Sequence, residues 1–158
     1  MVRLADLPEW ERKHMLDKIP ALPDLKLRPW VDAGELATRR VAIVTTAGLH
    51  RRGDRPFGHG DARNDYRVVP GDIAAADLVM SQLSVNFDRT GFQQDLNVVF
   101  PINRLQELAR EGVIGSVADF HYSFMGAGSP VTRMEAKARE VAGLLKQDKV
   151  DAVLLTPV

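Results

Sequence analysis

Residues 39–48 read RRVAIVTTAG and residues 149–158 read KVDAVLLTPV. Each opens on charged residues, runs into a short apolar stretch rich in branched side chains, and closes on threonine followed within a few residues by a turn former, Gly48 in one and Pro157 in the other. A continuous apolar run of this length, without polar alternation, is the pattern of a strand covered on both faces. The reading is two buried strands of one parallel sheet, Val41 to Thr45 and Val150 to Leu155. Such strands need helices above and below them, and the connection beyond their carboxyl ends is where open α/β sheets place ligands.

The rest of the chain supplies the helices. A first one is expected over Pro8 to Lys18, with proline and glutamate in its opening turn, followed by a proline-bearing irregular segment from Ala21 to Ala37 that holds a short helix at Val31 to Leu36. Leu49 to Asp65 is long, polar and glycine-bearing, a loop pattern. Tyr66 to Val69 reads as a short extended piece, Ile73 to Ala76 as a helical turn, and Asp77 to Leu83 as a further strand. The stretch NFDRTGFQQDLNVVFP, 86–101, is loop-like. Pro101 to Arg110 is a helix that Gly112 can close, a strand lies within Ser116 to Phe124, and Pro130 to Gln147 is a long helix carrying Val131, Met134, Ala138, Val141 and Leu145 along one face. Strands alternating with helices predict a three-layer α/β fold with a mostly parallel, open, Rossmann-like sheet. Residues 1–158 then form a single α/β domain led by an irregular and helical segment over 1–38. The last strand has no helix after it, so the sheet is expected to be incomplete at its C-terminal side.

Composition narrows the partners. The 158 residues are one domain's worth of chain, and 21 basic against 21 acidic residues leave no net field, so neither nucleic acid nor an anionic membrane is expected. No apolar run approaches the ~20 residues of a membrane span and the N-terminus has no secretory hydrophobic region, which points to the cytoplasm. The chain has no cysteine. It therefore has no disulfide, no thiolate metal site and no thiol nucleophile of its own.

In a parallel sheet three strand ends fall along one edge: VTTAGLH (44–50), FHYSFMGAG (120–128) and LLTPV (154–158). They nominate Thr46, His50, His121, Ser123 and Thr156 as substrate-binding candidates. The segment SFMGAGSP, 123–130, sets small residues before a helix start, where free amides favour an anion or simply make a cap. Asp88 and Arg89 sit in a glycine-bearing loop, where the guanidinium fork suits a carboxylate and a plain turn is the alternative. His121 is equally readable as a hydrogen-bonded core histidine. His50, His59, Asp54 and Asp61 match no compact ligand spacing, so no metal is expected. The arginines between Arg51 and Arg67 alternate with aspartates, as on a solvated loop.

Taken together, VTTAGLH, FDRTG (87–91), QDLNVVFP (94–101), EGVIGSVA (111–118), the H-x-S-F-M-G of His121 to Gly126 and the terminal VDAVLLTPV resemble the selenoprotein B subunit family of glycine, sarcosine and betaine reductase. The selenium-containing subunit of D-proline reductase also belongs to that family. The resemblance runs from about Val41 to Val158, is most distinctive from Asp88 to Met125, and owes little to the first 40 residues. It implies an oxidoreductase subunit that reductively cleaves a C–N bond through a selenolate or thiolate.

In the family two residues separate the Leu-Thr pair, here Leu155-Thr156, from that residue, which places it immediately after Val158. Selenocysteine is encoded by a codon otherwise read as a stop, and the expectation is an N-terminal portion of a longer subunit, ending just before the nucleophile. The resemblance further implies no cofactor in this chain. It implies a partner subunit that binds substrate and carries a pyruvoyl group, and a second selenoprotein or a thioredoxin-like protein as reductant. Two other readings accompany it: a non-catalytic α/β subunit that binds a small anion or a partner, and a metal-dependent hydrolase using His50 and His59.

Overall fold

The computed structural model describes residues 3–22, 31–84, 87–126 and 131–158. It divides into two units, Met1–Val31 and Asp32–Val158. In the first, helix α1 (Glu9–Lys18) carries Glu9 and Glu11 in its first turn and Lys18 in its last, charges that suit the helix dipole, and none of its residues is buried. Its local supports are the Glu9–Arg12 and Lys13–Asp17 pairs, each worth a few tenths of a kcal/mol.

The second unit is built around β1 (Arg40–Thr45). In chain order there follow β2 (Leu49–Arg51), β3 (Tyr66–Pro70), β4 (Leu78–Met80), α2 (Thr90–Gln94), α3 (Ile102–Arg110), β5 (Ser116–Val117), β6 (Phe120–Phe124), α4 (Val131–Gln147) and β7 (Ala152–Thr156). β7 runs parallel to β1 over five residue pairs, from Val41↔Ala152 to Thr45↔Thr156. On the other side β5 pairs with the start of β1 and β6 with its end, both parallel, and β3 closes that margin antiparallel to β6. The expectation of a mostly parallel α/β sheet is met, including the pairing of its two defining strands.

Side chains of β1 alternate between two cores. Val41 and Ile43 join Val99, Phe100, Ile102 and Leu105 on the α3 side. Val44 packs with Tyr122, Phe124 and Val141 on the α4 side, beside Met134 and Leu144. The long helix is tied to the sheet by Tyr66, whose hydroxyl donates to Glu140 at 2.7 Å while Lys137 bridges Glu140 and Asp65. Burial, reinforced by the Glu140 carboxylate, pushes the Tyr66 phenol up to about 12.

Four local expectations change. Asp77 to Leu83 does not extend the main sheet: β4 pairs antiparallel with β2 in a separate two-stranded sheet, so the supposed loop from Leu49 contributes a strand. The chain reverses there because Gly48 adopts φ +69°, a left-handed conformation that turns β2 away from the line of β1. The strand within Ser116 to Phe124 is broken in two, because the segment Val117 to Tyr122 is two residues longer than the facing segment Val41 to Val44. The short helix at Val31 to Leu36 is replaced by a 3-10 turn at Leu36–Thr38. The loop-like stretch 86–101 carries α2 and a 3-10 turn at Leu96–Val98.

β7 differs in burial. It is a strand, yet it pairs only with β1 among the described strands, and Val153, Leu154 and Leu155 are 41%, 38% and 69% exposed. Apolar periodicity reports the capacity to be covered, and whether a strand is covered depends on what packs on it.

The amino-terminal edge of the sheet is held by ions. The Arg40 guanidinium donates to the carbonyl of Asp148 (2.8 Å), the Asp148 carboxylate (2.6 Å) and the carbonyl of Val117 (2.9 Å), and it lies 3.0 Å from Asp119 Oδ2. Asp148 Oδ2 accepts the amides of Asp119 (3.0 Å) and Phe120 (3.3 Å), bridging the break between β5 and β6. Desolvation pushes the Asp148 carboxyl upward, but the Arg40 bond and these amides outweigh it and leave it below the ordinary carboxylate range.

Among the described residues no helix is long and apolar enough to cross a membrane. Replacing Asp148 by alanine takes one of two carboxylates from the Arg40 guanidinium and leaves the Asp119 and Phe120 amides without that acceptor, and is expected to lower the unfolding free energy by about 2–3 kcal/mol. Urea titration at pH 7 measures it, and a change within ~0.5 kcal/mol would show that the ionic edge is dispensable.

Candidate functional site

At the carboxyl-terminal edge the ends of β1, β6 and β7 converge on Thr46. Its N–H donates to the Thr156 carbonyl at 3.1 Å, and its carbonyl accepts the Gly126 N–H at 3.0 Å. Its hydroxyl oxygen accepts the Val158 N–H at 2.8 Å and lies 3.2 Å from the Val158 oxygen. Every hydrogen-bonding group of Thr46 is thus engaged across the edge. The strands approach closely because position 126 has no side chain: a Cβ there would stand 2.8 Å from the Val158 oxygen and 3.0 Å from Thr46 Oγ1. Just behind, the buried Thr45 hydroxyl donates to the Val99 carbonyl at 2.9 Å and accepts the Ala47 N–H at 3.2 Å.

Two further side chains reach this edge. Gln82, 4% exposed, donates its Nε2–H to the Thr46 carbonyl at 3.1 Å. Arg89 donates to the backbone carbonyl of that same Gln82 at 2.5 Å, its one partner among the described residues, and the residue itself is exposed. Thr156 Oγ1 is buried and has no hydrogen-bond partner among the described residues. An unmatched buried hydroxyl is costly and uncommon in a folded chain.

Of the residues nominated by sequence, Thr46, Thr156 and Arg89 are therefore brought together. The others are engaged elsewhere. Asp88 accepts the Thr90 N–H at 2.8 Å in a turn just before α2, a bond that holds its carboxyl below the usual range. Ser123 is fully buried and its hydroxyl oxygen accepts the Leu49 N–H at 2.7 Å, fastening β2 to β6. His50 lies in the two-stranded sheet, where Nδ1–H donates to the Arg51 carbonyl at 2.9 Å and Nε2 is buried without a partner among the described residues. His50 and Thr156 accordingly do not share an edge strand.

His121 is wholly buried. Its Nδ1 accepts the Ile43 N–H at 2.9 Å and its ring stands edge-on to Phe100 at 5.4 Å. Burial pushes the imidazole down to about 4, so at neutral pH it is uncharged with its proton on Nε2.

Among the described residues no group of three or more histidine, aspartate or glutamate side chains is arranged to hold a metal ion. His59 lies 3.4 Å from the Arg63 guanidinium. The anion-site expectation over 123–130 falls partly outside the described residues. Gln82 is not among the residues that the sequence nominates, and its only signal there is a long polar amide inside the apolar run DLVMSQL. The edge thus offers an exposed guanidinium, an unmatched hydroxyl and the end of a strand, but no cysteine.

The family model described as glycine/sarcosine/betaine reductase selenoprotein B matches residues 18–158. The chain is 39% identical over 124 residues to D-proline reductase subunit gamma of Acetoanaerobium sticklandii, covering 77% of this chain and 50% of that one. It is 32% identical over 142 residues to glycine reductase complex component B subunit gamma of Symbiobacterium thermophilum, covering 89% and 31%. To sarcosine reductase complex component B subunit beta of Peptoclostridium acidaminophilum it is 30% identical over 145 residues, covering 90% and 31%. The chain thus spans half the length or less of these curated relatives, all named as subunits of reductases. No solved structure matches significantly.

The His121 geometry carries a pH dependence. Its folded pKa of about 4 lies below the ordinary value of 6.5, so the unfolded chain binds the extra proton. Stability is then complete above ~6.5 and is lost as pH falls from there toward ~4, by roughly 3 kcal/mol. His121→Ala should cost about 2–4 kcal/mol at pH 7.5 through the orphaned Ile43 amide and a cavity. It should also flatten the dependence between pH 6.5 and 5, where few carboxylates titrate. Urea midpoints across that range test it, and an unchanged slope in the variant would reject the assignment.

Proposed function

The chain belongs to the glycine/sarcosine/betaine reductase selenoprotein B family, and from that premise we propose that it forms the N-terminal part of the reductase subunit that delivers a selenolate or thiolate nucleophile to an amine substrate. The observation that carries the reading is the clasp of Thr46 on Val158. It draws the end of β7 to the carboxyl edge, beside Arg89 and the unmatched Thr156 hydroxyl. The nucleophile is the residue that follows Val158 in the family pattern, at that same edge.

In this reading the substrate is an α-amino acid or its N-methylated relative, acted on in the cytoplasm. Arg89 binds the carboxylate through its free guanidinium donors, which orients the α-carbon toward the end of β7. A pyruvoyl group on a partner subunit supplies electrophilic activation of primary and secondary amines. The selenolate attacks the α-carbon as the C–N bond breaks. The bonding pair leaves with nitrogen, which takes up a proton, and a C–Se bond forms.

The selenoether, directly or after transfer to a second selenoprotein, is then resolved by a thioredoxin-like dithiol: the C–Se bond breaks, the carbon takes up a proton and leaves as the deaminated acid, the selenol is regenerated, and the dithiol, having supplied two electrons, becomes a disulfide. A selenolate is ionised at neutral pH and polarisable, whereas a thiol with pKa ~8.5 is mostly protonated.

The test is the complete subunit, assembled with its partners, carrying selenocysteine, cysteine or alanine at the position after Val158. Substrate-dependent dithiol oxidation with glycine, sarcosine, betaine and D-proline is expected for the first, slower for the second and absent for the third. Full turnover by the alanine form would overturn the reading. Arg89→Ala should raise KM by about 10- to 100-fold, an interaction loss of ~1.4–3 kcal/mol, with a melting temperature changed by no more than ~2 °C. An unchanged KM would remove Arg89 from substrate binding.

A further inference from the structure

Gln82 is a long polar side chain in a place where packing alone would take Met or Leu. It is 4% exposed, two residues beyond the end of β4, and its segment is fastened on both sides: Ser81 N–H donates to the Gly48 carbonyl at 3.0 Å and Leu83 N–H to Met125 Sδ at 3.4 Å. Burying an amide is unfavourable unless its polar atoms are met. Here the donor is met at the carboxyl edge and the acceptor within its own segment. Nε2 donates to the Thr46 carbonyl at 3.1 Å, Oε1 accepts the Ser84 N–H at 3.3 Å, and the backbone carbonyl accepts Arg89 at 2.5 Å.

The contacts form a line. Arg89 is held by Gln82, Gln82 by Thr46, and Thr46 by Val158. Each link is a directional hydrogen bond, so the line sets where the guanidinium stands relative to the end of β7. We propose that Gln82 is a positioning residue for carboxylate recognition: its backbone carbonyl holds the Arg89 guanidinium while its side-chain amide keys that residue to Thr46, and the pair of bonds fixes the register between the bound carboxylate and the end of β7. This rests on the function proposed above. One guanidinium nitrogen is committed to the Gln82 carbonyl, and the remaining donors form the face offered to the ligand.

An isosteric apolar residue keeps the packing and removes the key. The arginine then keeps its charge but samples orientations that a bidentate anion cannot use, and binding weakens while the chemical step is little affected.

A double-mutant cycle on the assembled reductase tests this: the natural chain, Gln82→Met, Arg89→Ala and the pair. KM and kcat are measured with glycine, sarcosine, betaine and D-proline, Kd for the same four carboxylates by calorimetry, and melting temperature for each form. Gln82→Met is expected to raise Kd and KM about tenfold with kcat within about threefold, and to add nothing once Arg89 is alanine. Any melting shift should be the same in both backgrounds. Gln82→Glu keeps the shape but cannot donate to the Thr46 carbonyl, and it serves as the second variant should Gln82→Met fold poorly; it should weaken binding at least as much.

Additive rises in Kd, an unchanged Kd in the Gln82 variants, or no calorimetric binding of any of the four would overturn the proposal. If no amine is turned over but the Kd cycle is non-additive, the reductive reading fails and the role of Gln82 stands. If amines are turned over but the cycle is additive, the reductive reading stands and the role of Gln82 fails.

Discussion

The fold hangs on a single unusual hydrogen bond, the one from the Ile43 amide to the His121 ring. β1 is the common partner of β5, β6 and β7, but the strand beside it carries two residues too many between Val117 and Tyr122. The surplus interrupts the ladder at a point where Ile43 is completely buried. An amide left unmet there would cost about as much as a lost hydrogen bond to a desolvated group, ~1–3 kcal/mol. The imidazole fills the gap at 2.9 Å, so β1 stays straight and the two halves of the neighbouring strand keep their registers.

The two ends of the sheet are held by different physics. At the amino-terminal edge Arg40, Asp119 and Asp148 form a partly buried ionic group, with Asp151 accepting the Arg40 amide. At the carboxyl-terminal edge the bonds are neutral: the threonine hydroxyl and amide of Thr46, the side-chain amide of Gln82, and backbone groups of Gly126, Thr156 and Val158. Arg89 donates to the neutral carbonyl of Gln82, and its neighbour Asp88 accepts the Thr90 N–H.

Parts of this were legible in the residues. The branched run from Val41 to Thr45 could hardly be anything but a buried strand, and the pattern at 150–155 matched it closely enough to predict their parallel pairing. The helices at Ile102–Arg110 and Val131–Gln147 were marked by proline at one end, glycine or a charged turn at the other, and an apolar stripe between. The candidate site was half legible. Arg89 and the threonines could be nominated from chemistry and position. Ser123 and His121 could equally be nominated, because a polar residue at a strand end looks the same whether it faces a ligand or a neighbouring amide.

What the sequence by itself determined is local and periodic: which segments become strands or helices, that the two defining strands belong to one sheet, and the family resemblance carried by the order of short motifs. Only the tertiary structure decided which polar groups are consumed in holding the sheet and which are left over. Gln82 finds the Thr46 carbonyl 36 residues earlier in the chain, and His121 finds the Ile43 amide 78 residues away. Neither partnership leaves a periodic trace. The same is true of Asp77 to Leu83, whose apolar pattern announces a strand but not the sheet it joins, since Gly48 sends β2 off to meet it. Hydrophobic spacing encodes how a segment folds on itself. Hydrogen-bond ownership depends on which segments meet, and that is settled only when the chain has packed.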